Sequence, residues 1–422
     1  MKNETNRIVI TGIGIVTPLG LSSADTWESI LQKKHNFTSS DKEIKEYSKV
    51  PLVGLVENEP LIKNLKSRKM AKYMGKDALL AVKSAGEALT DANWDQIPNI
   101  KETLGLYVGT GVSYSGNKEF IQVLQGCINK NGFCEKTFGE SGLSKINPLW
   151  SFQTLSNMSA CNVSIEFGLK GDNLVFNLRS EQASNAFTEA FHALKRGQLD
   201  YALVGATETN LHIAATSLLD IEKSLYTNKN FEKEPIKPFD KNRNGIIPSE
   251  GGAFLFMEKL ESAKKRNAKI YAEVLGYGKK NCTSILEQDL INACIASIKN
   301  TFDNTMSKTG NIDLFITSAG GYKTGDKVEG TALSSVFDNE NCMVWSPKAF
   351  YGDMGVGSVT TSIALGAMAI KSNKYPENIG TKDCEFRLNL NSQSLHKKKL
   401  KTAMISVFSV FGAKSNIILR SV

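Results

Sequence analysis

The stretch Asn177-Leu178-Arg179-Ser180-Glu181-Gln182-Ala183-Ser184 leads into a helical pattern, and a residue at such a strand-to-helix bend points its side chain at the helix N-terminus. A cysteine at that point would be held as thiolate by the helix dipole. Gln182 places a neutral carboxamide there, which donates and accepts hydrogen bonds but is no nucleophile. Apolar residues at Ala183, Ala186, Phe187, Ala190, Phe191 and Leu194, with a stop at Gly197, predict a helix over Ala183–Arg196, followed by a buried strand from Leu199 to Gly205. Acid–base chemistry has few candidates, because the chain has 4 histidines: His35, His192, His212 and His396. His192 falls on the predicted helix and reads as a residue of its face. The 7 cysteines (127, 134, 161, 282, 294, 342 and 384) are scattered singly, with no Cys-x-x-Cys pair, which argues against a zinc cluster or a disulfide framework. Cys161 lies a full helix and strand before the bend and is not expected to be reactive.

The elements that would position these groups alternate. Strand-like apolar runs at Arg7–Val16, Thr103–Val108, Leu199–Gly205, Ala253–Met257, Tyr271–Tyr277, Leu314–Ser318 and Ala403–Val410 are separated by helical patterns, an α/β signature. Two of them, Ile8-Val9-Ile10-Thr11-Gly12-Ile13-Gly14 and Ala272-Glu273-Val274-Leu275-Gly276-Tyr277-Gly278, look like the first strands of two related halves, 1–258 and 259–422, joined by the lysine-rich Glu258–Lys269. Gly12-Ile13-Gly14 after a strand invites a dinucleotide reading, but Thr17 and Pro18 stand where the third glycine of that fingerprint belongs. With 422 residues, 41% hydrophobic and 22% charged, the chain has the length and apolar content for large cores. No run approaches the ~18 apolar residues of a membrane span, and the polar start Met1–Asn6 lacks a signal-peptide core, so the expectation is a soluble, cytoplasmic protein. The net charge of +8 comes from lysines spread along the chain without a basic run interleaved with aromatics, so nucleic-acid binding is not expected.

Several motifs in order carry a family resemblance. Arg7-Ile8-Val9-Ile10-Thr11-Gly12-Ile13-Gly14-Ile15-Val16-Thr17-Pro18-Leu19-Gly20 resembles the opening strand and turn of the β-ketoacyl synthases of the thiolase superfamily. Pro238-Phe239-Asp240-Lys241-Asn242-Arg243-Asn244-Gly245, running on to Pro248-Ser249-Glu250-Gly251-Gly252-Ala253, resembles their Pro-Phe-Asp and Gly-Glu-Gly loops. Near the C-terminus Val410-Phe411-Gly412-Ala413, followed by Asn416, is a degraded form of their Gly-Phe-Gly-Gly turn. The resemblance implies a thiolase-like fold of two halves stacked in five layers, α-β-α-β-α, dimerising across a strand such as Leu174–Leu178.

A ketosynthase needs a cysteine to hold the acyl chain and two histidines to promote malonyl decarboxylation. Gln182 takes the cysteine's place. At the first histidine motif the chain reads Ser318-Ala319-Gly320-Gly321, then Gly325-Asp326 and Glu329, so that Ser318 or Ala319 stands for the histidine. At the second, Lys348-Ala349-Phe350-Tyr351-Gly352-Asp353, Asp353 does. Glu329 and Lys348 remain, and the resemblance implies that they form a buried charged pair. Glu181-Gln182-Ala183 and Ile247-Pro248-Ser249-Glu250-Gly251-Gly252-Ala253 are similar to the signatures of one branch, the chain length factors of type II polyketide synthases; Ser184 where a glycine is usual and Ser409 where active ketosynthases carry a gating phenylalanine depart from the family. The resemblance implies a non-catalytic subunit, paired with an active ketosynthase, that shapes the tunnel for a poly-β-ketone carried on the phosphopantetheine arm of an acyl carrier protein, with no cofactor of its own. Ser113, Gly116 and Phe120 align with the tunnel-facing positions. The alternative is a malonyl-carrier-protein decarboxylase, since glutamine also replaces the cysteine in loading ketosynthase domains, although those keep both histidines.

Overall fold

The computed structural model describes residues 6–40, 42–111, 118–177, 181–228, 232–305, 311–337, 342–390, 399–409 and 412–422. Its frame is a 10-stranded mixed sheet. We number the strands β1 (Ile8–Val16), β2 (Gly105–Thr110), β3 (Asn173–Asn177), β4 (Tyr201–Thr209), β5 (Glu250–Lys259), β6 (Ala272–Asn281), β7 (Leu314–Ile316), β8 (Met343–Trp345), β9 (Thr402–Phe408) and β10 (Ala413–Arg420). Their order, β8-β7-β9-β10-β6-β1-β5-β4-β2-β3, reads the same outward from the centre in both directions once β6 is matched to β1 and each later strand to its counterpart. Direction matches too: β2 pairs parallel with β3 and β4, as β7 does with β8 and β9, and the β4–β5 and β1–β5 pairs are antiparallel, as are β9–β10 and β6–β10. Even the irregularity repeats, because register shifts at Ile10/Gly12 on β1 and at Val274/Gly276 on β6, equivalent points of the two runs matched from sequence. The halves join where Ile8–Ile10 pairs antiparallel with Ala272–Val274.

The main helices are α1 (Lys76–Asp91), α2 (Lys118–Gly126), α3 (Met158–Phe167), α4 (Glu181–Lys195), α5 (Ile213–Ile221), α6 (Glu287–Thr305), α7 (Lys323–Val336) and α8 (Val356–Ser372). Helices α4 and α8 occupy equivalent places, after the third strand of each half, and each packs on strands of both halves. Every residue from Val356 to Ala367 is buried, which the small side chains of Gly357, Ser358, Ala364, Gly366 and Ala367 permit. Alternate strand residues face opposite ways: Ala202, Val204 and Leu255 turn to this central layer, and Leu203, Phe254 and Phe256 turn outward to Leu80, Ala85 and Val163 of α1 and α3. Helices α6 and α7 cover the other half through Leu290, Ile298, Val328 and Leu333. The five expected layers are present: α1 and α3, sheet, α4 and α8, sheet, α6 and α7.

The link between halves is less free than its lysines suggest. Leu260–Lys265 is helical, and Glu258, fully buried, accepts from Thr11 Oγ1 (2.5 Å) and from the guanidinium of Arg266 (2.5 to 3.1 Å), whose Nη1 also donates to the Ala92 carbonyl at the end of α1 (2.7 Å). Gly12 and Gly14 let α1 lie directly on β1: a Cβ at Gly14 would stand 2.0 Å from the Ser84 carbonyl oxygen. That contact accounts for the Gly-Ile-Gly of the opening strand. No helix among the described residues is long and apolar enough to cross a membrane.

Candidate functional site

The carboxyl ends of β4, β7, β8 and β9 surround a cavity of about 160 Å³, the usual place for a ligand in an α/β sheet. Glu208 and Asn210 reach it from the end of β4, and Ser318 and Ala319 from the loop after β7. Asp326 and Glu329 of α7, Lys348 and Asp353 of the segment before α8, and Ser409 after β9 also line it, as do Glu222, Ser224 and Tyr322. The structure therefore brings Ser318, Ala319, Glu329, Lys348 and Asp353 together, although they are scattered along the chain.

Each of these groups is held by hydrogen bonds. Ser318 Oγ donates to the Ser406 carbonyl (2.9 Å) and accepts from the Phe408 amide (3.0 Å), so its hydroxyl proton is already engaged. Ala319 is buried and offers no side-chain polar group. Asp326 accepts from the amides of Gly320 (3.2 Å), Gly321 (3.0 Å) and Phe239 (3.0 Å), tying the loop after β7 to the segment that contains Pro238-Phe239-Asp240; burial pushes its carboxyl up to about 6. Glu329 accepts from the Ser318 amide (3.1 Å), and burial raises its carboxyl to about 7 against the opposing pull of the Ser406 and Ser318 hydrogen bonds.

Lys348 differs from the expectation. Its ammonium pairs with Asp353, whose other oxygen accepts from the amide of Gly355 (2.8 Å) and from Asn210 Nδ2 (3.2 Å). Glu329 and Lys348 are not an ion pair. The carboxylate at position 353 supplies the lysine with a counter-charge five residues away, just past the short helix Lys348–Tyr351, while Glu329 makes its direct contacts as hydrogen bonds and feels the Lys348 charge from farther off. Glu208 went unnoticed in the sequence; it is buried between Gly111 and Gly355, where an added Cβ would stand 1.8 Å from its oxygens, and it accepts from the Val356 amide (2.7 Å) at the start of α8.

Gln182 stands at the second residue of α4, half-buried and outside the lining of this cavity. Its Oε1 accepts from Asn185 Nδ2 (3.0 Å). Its neighbour Ser184 makes a buried hydroxyl contact with Ser415 of β10 (2.8 Å). None of the described histidines lines the cavity. His35 stacks on Phe37, His192 bonds Tyr277 Oη (2.7 Å) with its pKa lowered by burial and by Arg196, and His212 caps α5 by accepting from the Ala215 amide (3.2 Å). His396 lies outside the described residues. Cys161 is half-buried on α3 near Asn157. Ser113 and Gly116 also lie outside the described residues, whereas Phe120, on α2, stacks its ring on Trp150 at 4.4 Å between centroids. Among the described residues no cluster of His, Cys, Asp and Glu is suited to a metal ion.

The buried carboxyl of Glu329 gives a pH prediction. Its folded-state value lies above the ordinary 4.5, so its contribution to stability is complete below pH 4.5 and is lost as pH rises through about 7. The climb from 4.5 to about 7, at ~1.36 kcal/mol per pH unit, is on the order of 3 kcal/mol. Glu329→Gln has no such loss, so it should be the more stable protein at pH 8 by that order, with the gap closing towards pH 4.5. Denaturant titrations at both pH values check this, and parallel pH profiles for the two proteins would contradict it.

A doubled α/β sheet with its cavity at the strand ends between the halves, and a helix N-terminus in the central layer, defines a protein of the thiolase-like class. The chain belongs to the β-ketoacyl synthase family: residues 5–263 match its N-terminal domain and residues 271–382 its C-terminal domain. A Schizosaccharomyces pombe protein named as a mitochondrial 3-oxoacyl-[acyl-carrier-protein] synthase is 30% identical over 367 residues, 84% of this chain and 82% of that protein. A 3-oxoacyl-[acyl-carrier-protein] synthase 2 of Staphylococcus aureus is 29% identical over 276 residues, 65% of this chain and 63% of its own length. Among solved structures, the ishigamide ketosynthase/chain length factor superposes with a TM-score of 0.81 at 18% identity, over 99% of this chain and 100% of that one. A type II polyketide synthase acyl-carrier protein in complex with its ketosynthase, bound to the hexaketide, gives 0.78 at 18% identity, with 99% and 100% covered. At such identities the structural likeness concerns the fold.

Proposed function

We propose that this chain is a non-catalytic chain length factor, which pairs with an active ketosynthase and helps to shape the tunnel in which a poly-β-ketone grows on an acyl carrier protein's phosphopantetheine arm. The observation that carries this reading is the chemistry left at the family's reacting positions: a carboxamide at Gln182, a hydroxyl already donated at Ser318, a methyl at Ala319 and a carboxylate locked to Lys348 at Asp353. Acyl transfer needs a nucleophile, and enolate formation needs a donor aimed at the developing charge. Glu329, poised near neutrality, can exchange a proton but cannot hold an acyl group. The same deficits count against a decarboxylase. Curated relatives named as synthases share the fold, and the solved structures resembling this one include a ketosynthase/chain length factor.

In this reading Phe120, with Ser113 and Gly116, bounds the tunnel. Phe120→Ala removes an aromatic ring that rests on Trp150 and opens a void of side-chain size. The expected result, in a reconstitution of ketosynthase, this subunit, carrier protein and malonyl donor, is a product longer by about one or two two-carbon units, since a filled interior excludes added bulk. Unchanged product length from an intact, active complex would move length control away from this residue.

A further inference from the structure

Past α2 the chain turns back on itself. Cys127 follows α2 directly, and Ile128-Asn129-Lys130-Asn131-Gly132-Phe133 forms a hairpin in which Ile128 stands opposite Phe133 and Asn129 opposite Gly132. The pairing runs one step further, because the Cys134 amide donates to the Cys127 carbonyl (2.8 Å). Cys127 and Cys134 are therefore cross-strand neighbours, with side chains on the same face of the ribbon. Their spacing carries no such signal in the sequence, where the cysteines stand singly. Both thiols meet the helical segment that follows, Glu135–Gly142. Cys127 is buried with its Sγ beside Gly142, where an added Cβ would stand 3.0 Å from it. Cys134 is half-buried; its Sγ accepts from Thr137 Oγ1 (3.2 Å), and the Thr137 hydroxyl and amide together draw the thiol below its ordinary value. Directly opposed, hydrogen-bonded residues of antiparallel strands hold their Cα atoms about 5.5 Å apart, within the roughly 4.4 to 6.8 Å that a disulfide spans. Their Cβ atoms stand about 4.5 to 5.5 Å apart, at or beyond the long end of the roughly 3.5 to 4.5 Å of a disulfide. A bond between the two thus pulls on the ribbon and is readily reduced, which suits a reversible link better than a permanent staple.

We propose that Cys127 and Cys134 form a reversible dithiol–disulfide site, oxidised by small-molecule disulfides of the glutathione type. Cys134, the more exposed of the two, reacts first: its thiolate attacks one sulfur of glutathione disulfide, a new S–S bond joins Cys134 to glutathione, and the other glutathione leaves as thiolate. Cys127 then attacks Cys134 Sγ, and the second glutathione leaves. The protons of the two cysteine thiols end on the two released glutathiones, so two protein thiols are oxidised as one small disulfide is reduced. The bond ties the end of α2, the helix that carries Phe120, to the segment Glu135–Gly142. It stands apart from the reading of the chain as a chain length factor, since neither cysteine lines the cavity at the strand ends.

The test equilibrates the full-length folded protein in buffers of rising glutathione disulfide over glutathione, quenches in acid, then unfolds, alkylates and digests it. Cys127 and Cys134 should lose alkylation together as the ratio rises, and cleavage after Lys130 should leave their two peptides joined by a disulfide. Excess dithiothreitol should restore both thiols. Cys127→Ser should stop halfway, with one glutathione held on Cys134, and Cys134→Ser should leave Cys127 open to alkylation after unfolding, because its buried thiol is reached only from its neighbour. A glutathione adduct that persists on Cys134 of the parent while Cys127 stays free, both thiols unreacted at the most oxidising ratio, or a bond from either one to a different cysteine would overturn the proposal.

Discussion

Leu174→Asp is expected to abolish pairing with the ketosynthase, weakening it by more than about 100-fold. Strand β3 is the outer edge of the first half: it pairs with β2 on one side and has no strand among the described residues on the other. An unpaired edge of this kind is a template for another chain. Leu174 is 43% exposed on it, and Phe152, Leu155 and Ile165, from the segment just before, are exposed as well. Permanent partners typically bury about 2,000 Å² or more of such surface. A carboxylate in place of Leu174 would be desolvated without a counter-charge, which costs several kcal/mol, whereas Ile285→Asp, at a position 87% exposed on the loop after β6, should leave pairing intact. Co-expression followed by sedimentation decides the matter. A stable one-to-one complex of the Leu174→Asp protein would place the interface elsewhere.

Arg266→Met should give the largest loss of stability, about 3 to 5 kcal/mol, because it strands a buried carboxylate. Glu258 sits inside the β1–β5 pair with no exposed surface, and three guanidinium contacts and the Thr11 hydroxyl satisfy its oxygens. The same arginine bonds the carbonyl that ends α1 and lies 5.9 Å from the Phe256 ring centre, so its loss loosens helix, strand and link together. Glu258→Gln combined with Arg266→Met should recover part of the loss, since the unpaired charge is gone. Denaturant midpoints of the three proteins measure this, and a single variant as stable as the parent would contradict the pairing argument.

The halves were legible in the sequence because their opening strands repeat both an apolar run and a glycine at the point where each ladder shifts register, Gly12 and Gly276. The helix after Gln182 was legible from its period; its ends fall at Glu181 and Lys195 in place of Ala183 and Arg196. Two strands of the 10-stranded sheet have no signal in the sequence. Met343–Trp345 is too short to show alternation. Ala413–Arg420 opens with Lys414, Ser415 and Asn416, whose polar side chains suggest a turn; they are buried because Ser409, Ser184 and Ser297 answer them across the layers. The same limit applies at the site. That Ser318, Glu329 and Asp353 belong together could be read from motifs, but the partner chosen by Lys348 depends on loop geometry.

Intact-mass spectrometry decides whether this chain ever carries an acyl group. The protein, alone and with its ketosynthase, is incubated with acyl and malonyl carrier protein and each chain is weighed. Acyl mass is expected on the ketosynthase cysteine and none on this chain, because the position holds Gln182, which has no nucleophile to offer, and none of the 7 cysteines. Stoichiometric acylation of this folded chain would contradict it.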